Sequence, residues 1–228
     1  MISAAELIQS DLDQDLLRMI ATRAPWQYRQ LADQIAEDDL IPEYGKMEEF
    51  ARRRGPAIAS CIIDACERFG VPYDTRRLPC NGQRKLVVKA GRLIMIQEPI
   101  LTLGDAPRIA DYKRQMARSL GAVSQLELPL GDRLVRMIDF SQGQLVVLLH
   151  GMSGMRFNEE QTNLGALMLA VPNAEYTNWV HRFDLHNLAM FGTAEPPVGP
   201  EDKNDDEGTG QPDRVQVRPR RRIVEEER

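Results

Sequence analysis

The chain is poor in the residues that most often carry chemistry. Of its 228 positions, three are cysteine and three are histidine. An odd number of cysteines without tight spacing argues against a disulfide framework and for a reducing, cytoplasmic setting. Aromatic residues make up 6 % of the chain, which leaves few platforms for stacking nucleic-acid bases. No uninterrupted run of about 18 apolar residues occurs, so no membrane-spanning helix is expected. The opening MISAAELIQSDLDQD is acidic and lacks a basic segment ahead of an apolar one, so no secretory signal is expected. Glycine-rich phosphate loops of the P-loop or dinucleotide type are missing.

What is present is an uneven distribution of charge. The net charge of −5 argues against a uniformly basic surface. Residues 1–44 nevertheless carry nine acids against three arginines, whereas residues 45–92 carry eleven Lys/Arg against five acids. Arg52, Arg53, Arg54, Arg76, Arg77, Arg84, Lys85, Lys89 and Arg92 supply most of the second block. If they converge, they form a patch able to displace counterions from a nucleic-acid backbone or another polyanion. The alternative is a solvated face that docks on the acidic N-terminal helices.

The strongest structural signal lies at Arg84–Glu98, RKLVVKAGRLIMIQE, where two β-branched runs joined through Ala90-Gly91 predict a strand pair. Ahead of it, Ser3-Ala4-Ala5-Glu6 fits a capping box for a first helix with Leu7, Ile8, Leu12, Leu16, Met19 and Ile20 on one face. Pro25 suits the first turn of a second helix ending near Pro42. A short helix around Met47–Ala51 is expected to break at Gly55-Pro56, where another starts and runs to Gly70 as its cap. Its apolar stripe holds Ile58, Cys61, Ile62, Ala65, Cys66 and Phe69.

Further along, Gly104–Pro107 reads as a helix start with Gly121 as its end, followed by a strand at 123–128. Leu134–Phe140 and Leu145–Leu149 read as a strand pair, and Leu164–Val171 fits either a strand or a buried helix. Asn173 is placed to cap a last helix through Trp179 and Phe183. Residues 193–228, with five prolines, an acidic block and the RPRRR of Arg218–Arg222, read as a disordered charged tail. The expected architecture is thus α/β or α+β, one domain over 1–192 with a helical N-terminal third packed on a mixed sheet.

Two segments are similar to parts of known enzymes. Gln144–Gly154, QLVVLLHGMSG, resembles the strand and HG loop that contributes to the oxyanion hole of α/β-hydrolases, with His150 at its end. That resemblance implies a downstream G-x-S-x-G elbow, and none occurs in the chain. The order helix (56–69), strand pair (86–98), helix (106–120), strand (123–128) resembles that of PD-(D/E)XK nucleases. It implies an acid on the first strand and E-x-K on the second, holding a divalent metal. Lys85 or Lys89 stands where the acid is expected, and Gln97-Glu98-Pro99 where E-x-K is expected.

For zinc, His181 and His186 are five apart, as are Cys61 and Cys66, and neither pair makes a usual zinc spacing. No metal and no cofactor are expected. Cys80, in a turn near Arg76, Arg77, Arg84 and Lys85, is the candidate nucleophile, with His150 or His181 as a base. The leading expectation is a soluble, non-enzymatic binding or regulatory protein that meets a polyanion through residues 46–92. An enzyme using Cys80 or a degenerate nuclease-like site is one alternative. A component that assembles with itself or with a protein partner is the other.

Overall fold

Burial of apolar stripes decides where the helices run, more than the prolines and glycines inside them. The computed structural model describes residues 3–77, 82, 84–101, 104–120, 124–130, 133–139 and 144–192, all within one compact unit. Cys80, Gly121 and the segment 193–228 lie outside the described residues, as does the side chain of Arg76.

Helix α1 (Ala4–Asp11) begins with the expected capping box: Ser3 Oγ accepts from the Glu6 amide at 3.2 Å, and Glu6 Oε2 accepts from the Ser3 amide at 2.7 Å. The helix stops earlier than its periodicity suggests, because Asp13 accepts from the Asp15 and Leu16 amides and starts a new one. That helix, α2 (Gln14–Ala36), carries Pro25 in its interior. It continues through the proline because Ile20, Ala24, Tyr28, Leu31 and Ile35 bury one face. Likewise α3 (Glu43–Phe69) runs unbroken through Gly55-Pro56, where a break is expected from sequence. Phe50, Ile58, Ile62 and Ala65 hold it down on both sides of the proline. Gly70 ends it in the left-handed conformation, φ +66°, as expected.

The strands β1 (Tyr73–Arg77), β2 (Arg84–Ala90), β3 (Leu93–Ile100), β6 (Gln144–Met152), β7 (Leu164–Pro172) and β8 (Trp179–Asp184) form one mixed sheet in that order. All neighbours are antiparallel except β3 and β6, which run parallel. The crossover between those two contains α4 (Asp111–Leu120) and a separate hairpin, β4 (Ser124–Leu130) with β5 (Arg133–Asp139). Parallel strands require such a crossover. The class is α+β, with a helical N-terminal part on a mixed sheet.

Alternation along the strands sorts the core into two layers. Leu86, Val88, Met95, Val146, Leu148, Leu169 and Val171 pack with α1, α2, α3 and α5 (Leu185–Phe191). Val87, Ile96, Leu145, Val147 and Leu149 face the other way, with Ala117 of α4 and Tyr176. Every residue of β6 is buried, which explains its continuous apolar run.

Three further expectations are corrected. Leu134–Phe140 does not pair with Leu145–Leu149: β5 pairs with β4, while β6 needs a neighbour on both edges and finds β3 and β7. Asn173 does not cap a helix; its Oδ1 accepts from the Thr177 and Asn178 amides and closes a turn into β8, and Asp184 caps α5 instead. Helix α4 starts at Asp111, later than Gly104–Pro107, with the Ala110 carbonyl accepting its first amides. Leu164–Pro172 is a strand, which settles the ambiguity left by periodicity.

Candidate anion-binding cleft

The sheet parts between β2 and β3. Their ladder runs only from Ala90↔Leu93 to Val88↔Met95. Strand β2 stays paired with β1 down to Arg77↔Arg84, and β3 stays paired with β6 out to Ile100↔Gly151. The free edges of β2 and β3 therefore face a gap, and α3 lies across it. The result is an open cleft of about 560 Å³ lined by Arg52, Gly55, Ser60, Arg84, Lys85 and Gln97 among others, with no carboxylate among its described lining residues.

Three of the cations expected from sequence line this cleft. Arg52 projects from α3 with its side chain 73 % exposed, steadied by Glu49 at 2.6–2.9 Å. Glu49 also pairs with Arg53, so one carboxylate is shared between two guanidinium groups. Arg84 is exposed, with Nη1 donating to Thr75 Oγ1 at 3.5 Å, and Lys85 is half-buried. Arg77 is exposed and stands opposite Arg84 in register, and the backbone of Arg76 pairs with that of Lys85.

The remaining cations lie elsewhere. Lys89 is exposed beyond the point where β2 and β3 join. Arg92 belongs to the α1 contact: its backbone N and its Nε donate to Asp11 Oδ2 at 2.7 and 2.9 Å, and Nη2 donates to Oδ1 at 2.7 Å. That guanidinium holds the Asp11 carboxyl well below its usual range. Arg54 is not on the surface at all, being 2 % exposed.

Behind the cleft floor sits a buried polar chain that sequence reasoning missed. His150 is fully buried on β6; its Nδ1 lies 2.6 Å from the Tyr28 hydroxyl and its Nε2 lies 2.8 Å from Gln97 Oε1. Gln97 Oε1 can only accept, so Nε2 carries the proton and the Tyr28 hydroxyl donates to Nδ1. Burial pushes the His150 pKa down to about 3, with the Arg54 and Lys85 charges adding to the effect. His150 is thus a neutral structural link, removed from any surface. Gln97 Nε2 also donates to the Gly55 carbonyl at 3.4 Å, tying β3 to α3.

On the opposite face of the sheet, Glu98 Oε2 accepts from Lys113 Nζ at 2.6 Å and from the Tyr176 hydroxyl at 2.9 Å, and Oε1 accepts from the Arg108 amide at 3.3 Å. Lys113 Nζ also donates to the Arg108 carbonyl and lies 5.1 Å from the centre of the Tyr176 ring. Tyr176 adopts φ +54°, a conformation tyrosine rarely takes, and the turn built by Asn173 holds it there. The sequence signal for both networks is the Gln97-Glu98 pair interrupting an otherwise apolar strand.

The nuclease-like element order is realised in part. Helix α3, the β2–β3 pair and α4 follow it, but the strand at 124–130 belongs to the separate hairpin, and β6 is the strand beside β3. The cleft presents Lys85, Gln97 and Pro99 where that chemistry uses carboxylates and a lysine. Among the described residues no group of three or more His, Cys, Asp or Glu is placed to hold a metal ion, and no helix is long and apolar enough to cross a membrane. Cys61 and Cys66 are buried, and burial raises both thiols to about 11. Comparison with protein-family models, with curated proteins and with solved structures returns no match, so the reading of this site rests on its own geometry.

Proposed function

We propose that this is a binding protein whose cleft between α3 and the parted strands β2 and β3 takes the phosphate backbone of a nucleic acid. One observation carries the reading: Arg52, Arg84 and Lys85 line a single concave surface, and no carboxylate is among its described lining residues. Such a surface gains free energy from counterion release whatever the base sequence. No aromatic is among the described lining residues, and the exposed Tyr73 of β1 donates its hydroxyl to Glu67. Base stacking therefore adds nothing, and the binding is sequence-tolerant.

Fluorescence anisotropy with a labelled oligonucleotide across a salt series tests this. Three phosphate contacts give a slope of log K against log salt of about −2 to −3, at roughly 0.7–0.9 per phosphate. The pair Arg84→Glu and Lys85→Glu lowers affinity at least about tenfold and flattens the slope by about two contacts. Arg156→Glu, on an exposed residue outside the cleft lining, leaves both unchanged. Absence of binding at low salt, or equal binding by the Arg84/Lys85 variant, overturns the reading.

A further inference from the structure

Arg54 is a buried cation whose guanidinium is only partly answered. Its side chain is 2 % exposed, and neither Nε nor Nη1 has a hydrogen-bond partner. The guanidinium stays protonated under all physiological conditions, so the core holds a cation that faces the Tyr28 hydroxyl in place of a carboxylate, a costly arrangement to bury. Position 54 continues the apolar stripe of α3, four residues after Phe50 and four before Ile58, where an aliphatic side chain would complete the packing.

The groups acting on Arg54 answer it only in part. Burial lowers its pKa; the Tyr28 hydroxyl opposes that, and the positive charge of Arg108 adds to it. His150, beside Tyr28, is neutral. The buried carboxylate of Glu98 is committed to Lys113, Tyr176 and the Arg108 amide. Among the described residues, the groups found to act on Arg54 include no carboxylate.

Arg54 does not itself line the cleft, but its neighbours along α3 do. Ala51 and Gly55, its neighbours along the helix, line the cleft, and Gln97 forms the partition between the cleft and the buried chain. The bond from Gln97 Nε2 to the Gly55 carbonyl is long at 3.4 Å, hence weak. A Cβ at Gly55 would meet Gln97 Nε2 at an ordinary 3.7 Å, so glycine is not needed for the resting fit.

We propose that Arg54 is the buried receptor for a phosphoryl group that reaches it through the cleft, past Gln97. Arg52, Arg84 and Lys85 on the path favour a ligand with more than one negative charge, which a terminal phosphate has and a single carboxylate lacks. The phosphoryl group comes either from the end of a nucleic-acid strand or from a small phosphorylated compound. The inference rests on the cleft described above as the binding surface and adds what lies at its end.

The test uses the full chain in thermal denaturation with inorganic phosphate against chloride at equal ionic strength, and in binding assays with 5′-phosphorylated and 5′-hydroxyl oligonucleotides. Phosphate raises the midpoint beyond chloride, and Arg54→Met removes that response. A phosphorylated strand end binds about tenfold tighter or more in the wild type and shows no preference in Arg54→Met. A phosphate response without strand-end preference assigns the site to a small phosphorylated compound. Should Arg54→Met fail to fold, Arg54→Lys keeps the charge but not the fork, and weakens the phosphate response about tenfold. No response beyond chloride, or an undiminished one in the Arg54 variants, overturns the inference. Oligonucleotide binding that persists without a phosphate response sinks this inference alone; a phosphate response without oligonucleotide binding sinks the nucleic-acid reading alone.

Discussion

Gln97 and Glu98 are neighbours on β3, and their side chains join two separate buried networks on opposite faces of the sheet. Gln97 reaches His150 and the Gly55 carbonyl on the α3 side; Glu98 reaches Lys113 and Tyr176 on the α4 side. One dipeptide in the middle of the sheet therefore pins both helical layers.

The Glu98–Lys113 pair is buried at both ends, with side chains 5 % and 9 % exposed. Removing one partner strands the other without a counter-charge. Lys113→Met is expected to destabilise by about 3–5 kcal/mol in urea unfolding. Adding Glu98→Gln recovers part of that loss, because the second substitution removes the orphaned carboxylate. Strictly additive losses would show that the two groups do not act as a pair.

His150 sets a pH dependence with a definite sign. Its folded pKa of about 3 lies below the ordinary 6.5, so the unfolded chain binds a proton that the folded chain refuses. The stabilisation is complete above about pH 6.5 and drains away as the pH falls towards 3, at up to about 1.4 kcal/mol per pH unit. His150→Gln removes this slope, at a cost from the lost bonds to Tyr28 and Gln97 that is the same at every pH. Urea midpoints measured from pH 4 to 7 for both proteins decide the matter; parallel curves would mean that His150 is not buried neutral.

Asp11 and Gly91 form the latch between α1 and the β2–β3 turn. Gly91 has φ +54°, and a Cβ there would sit 2.6 Å from Asp11 Oδ2. Gly70 has a similar φ of +66°, but a Cβ there would meet nothing within 4 Å. Gly70→Ala is expected to cost about 1–2 kcal/mol, the conformational term alone. Gly91→Ala costs more, since it must also displace the carboxylate that holds Arg92. Equal losses in thermal or urea unfolding would show that the latch yields without strain.

Local devices were legible in the sequence, and distant ones were not. The Ser3–Glu6 box, the Gly70 cap and the strand pair at 84–98 each depend on residues a few positions apart, and each stands as expected. The unbroken runs of α2 past Pro25 and α3 past Pro56 could not be read locally, because the packing that overrides the prolines comes from other elements. The Tyr28–His150–Gln97 chain joins residues 122 and 53 positions apart, beyond any spacing rule. Arg52-Arg53-Arg54 looked like three equivalent cations, yet successive helical residues point about 100° apart. Only Arg54 falls on the stripe of Phe50 and Ile58. A stricter helical projection through Gly55-Pro56 would have shown it.

The parallel seam between β3 and β6 has one more implication. On one side of it β1, β2 and β3 follow each other as a meander, and on the other β6, β7 and β8 do the same. Each triplet is assembled from short-range hairpins, and a single ladder, joining Leu93 to Gln144 at its start, welds them together. Closure of that ladder across the crossover is the expected slow step in folding, because it has the longest sequence separation of the sheet's pairings. A polypeptide severed within the crossover would carry each triplet's own ladders on one fragment and leave the β3–β6 ladder to form between the two.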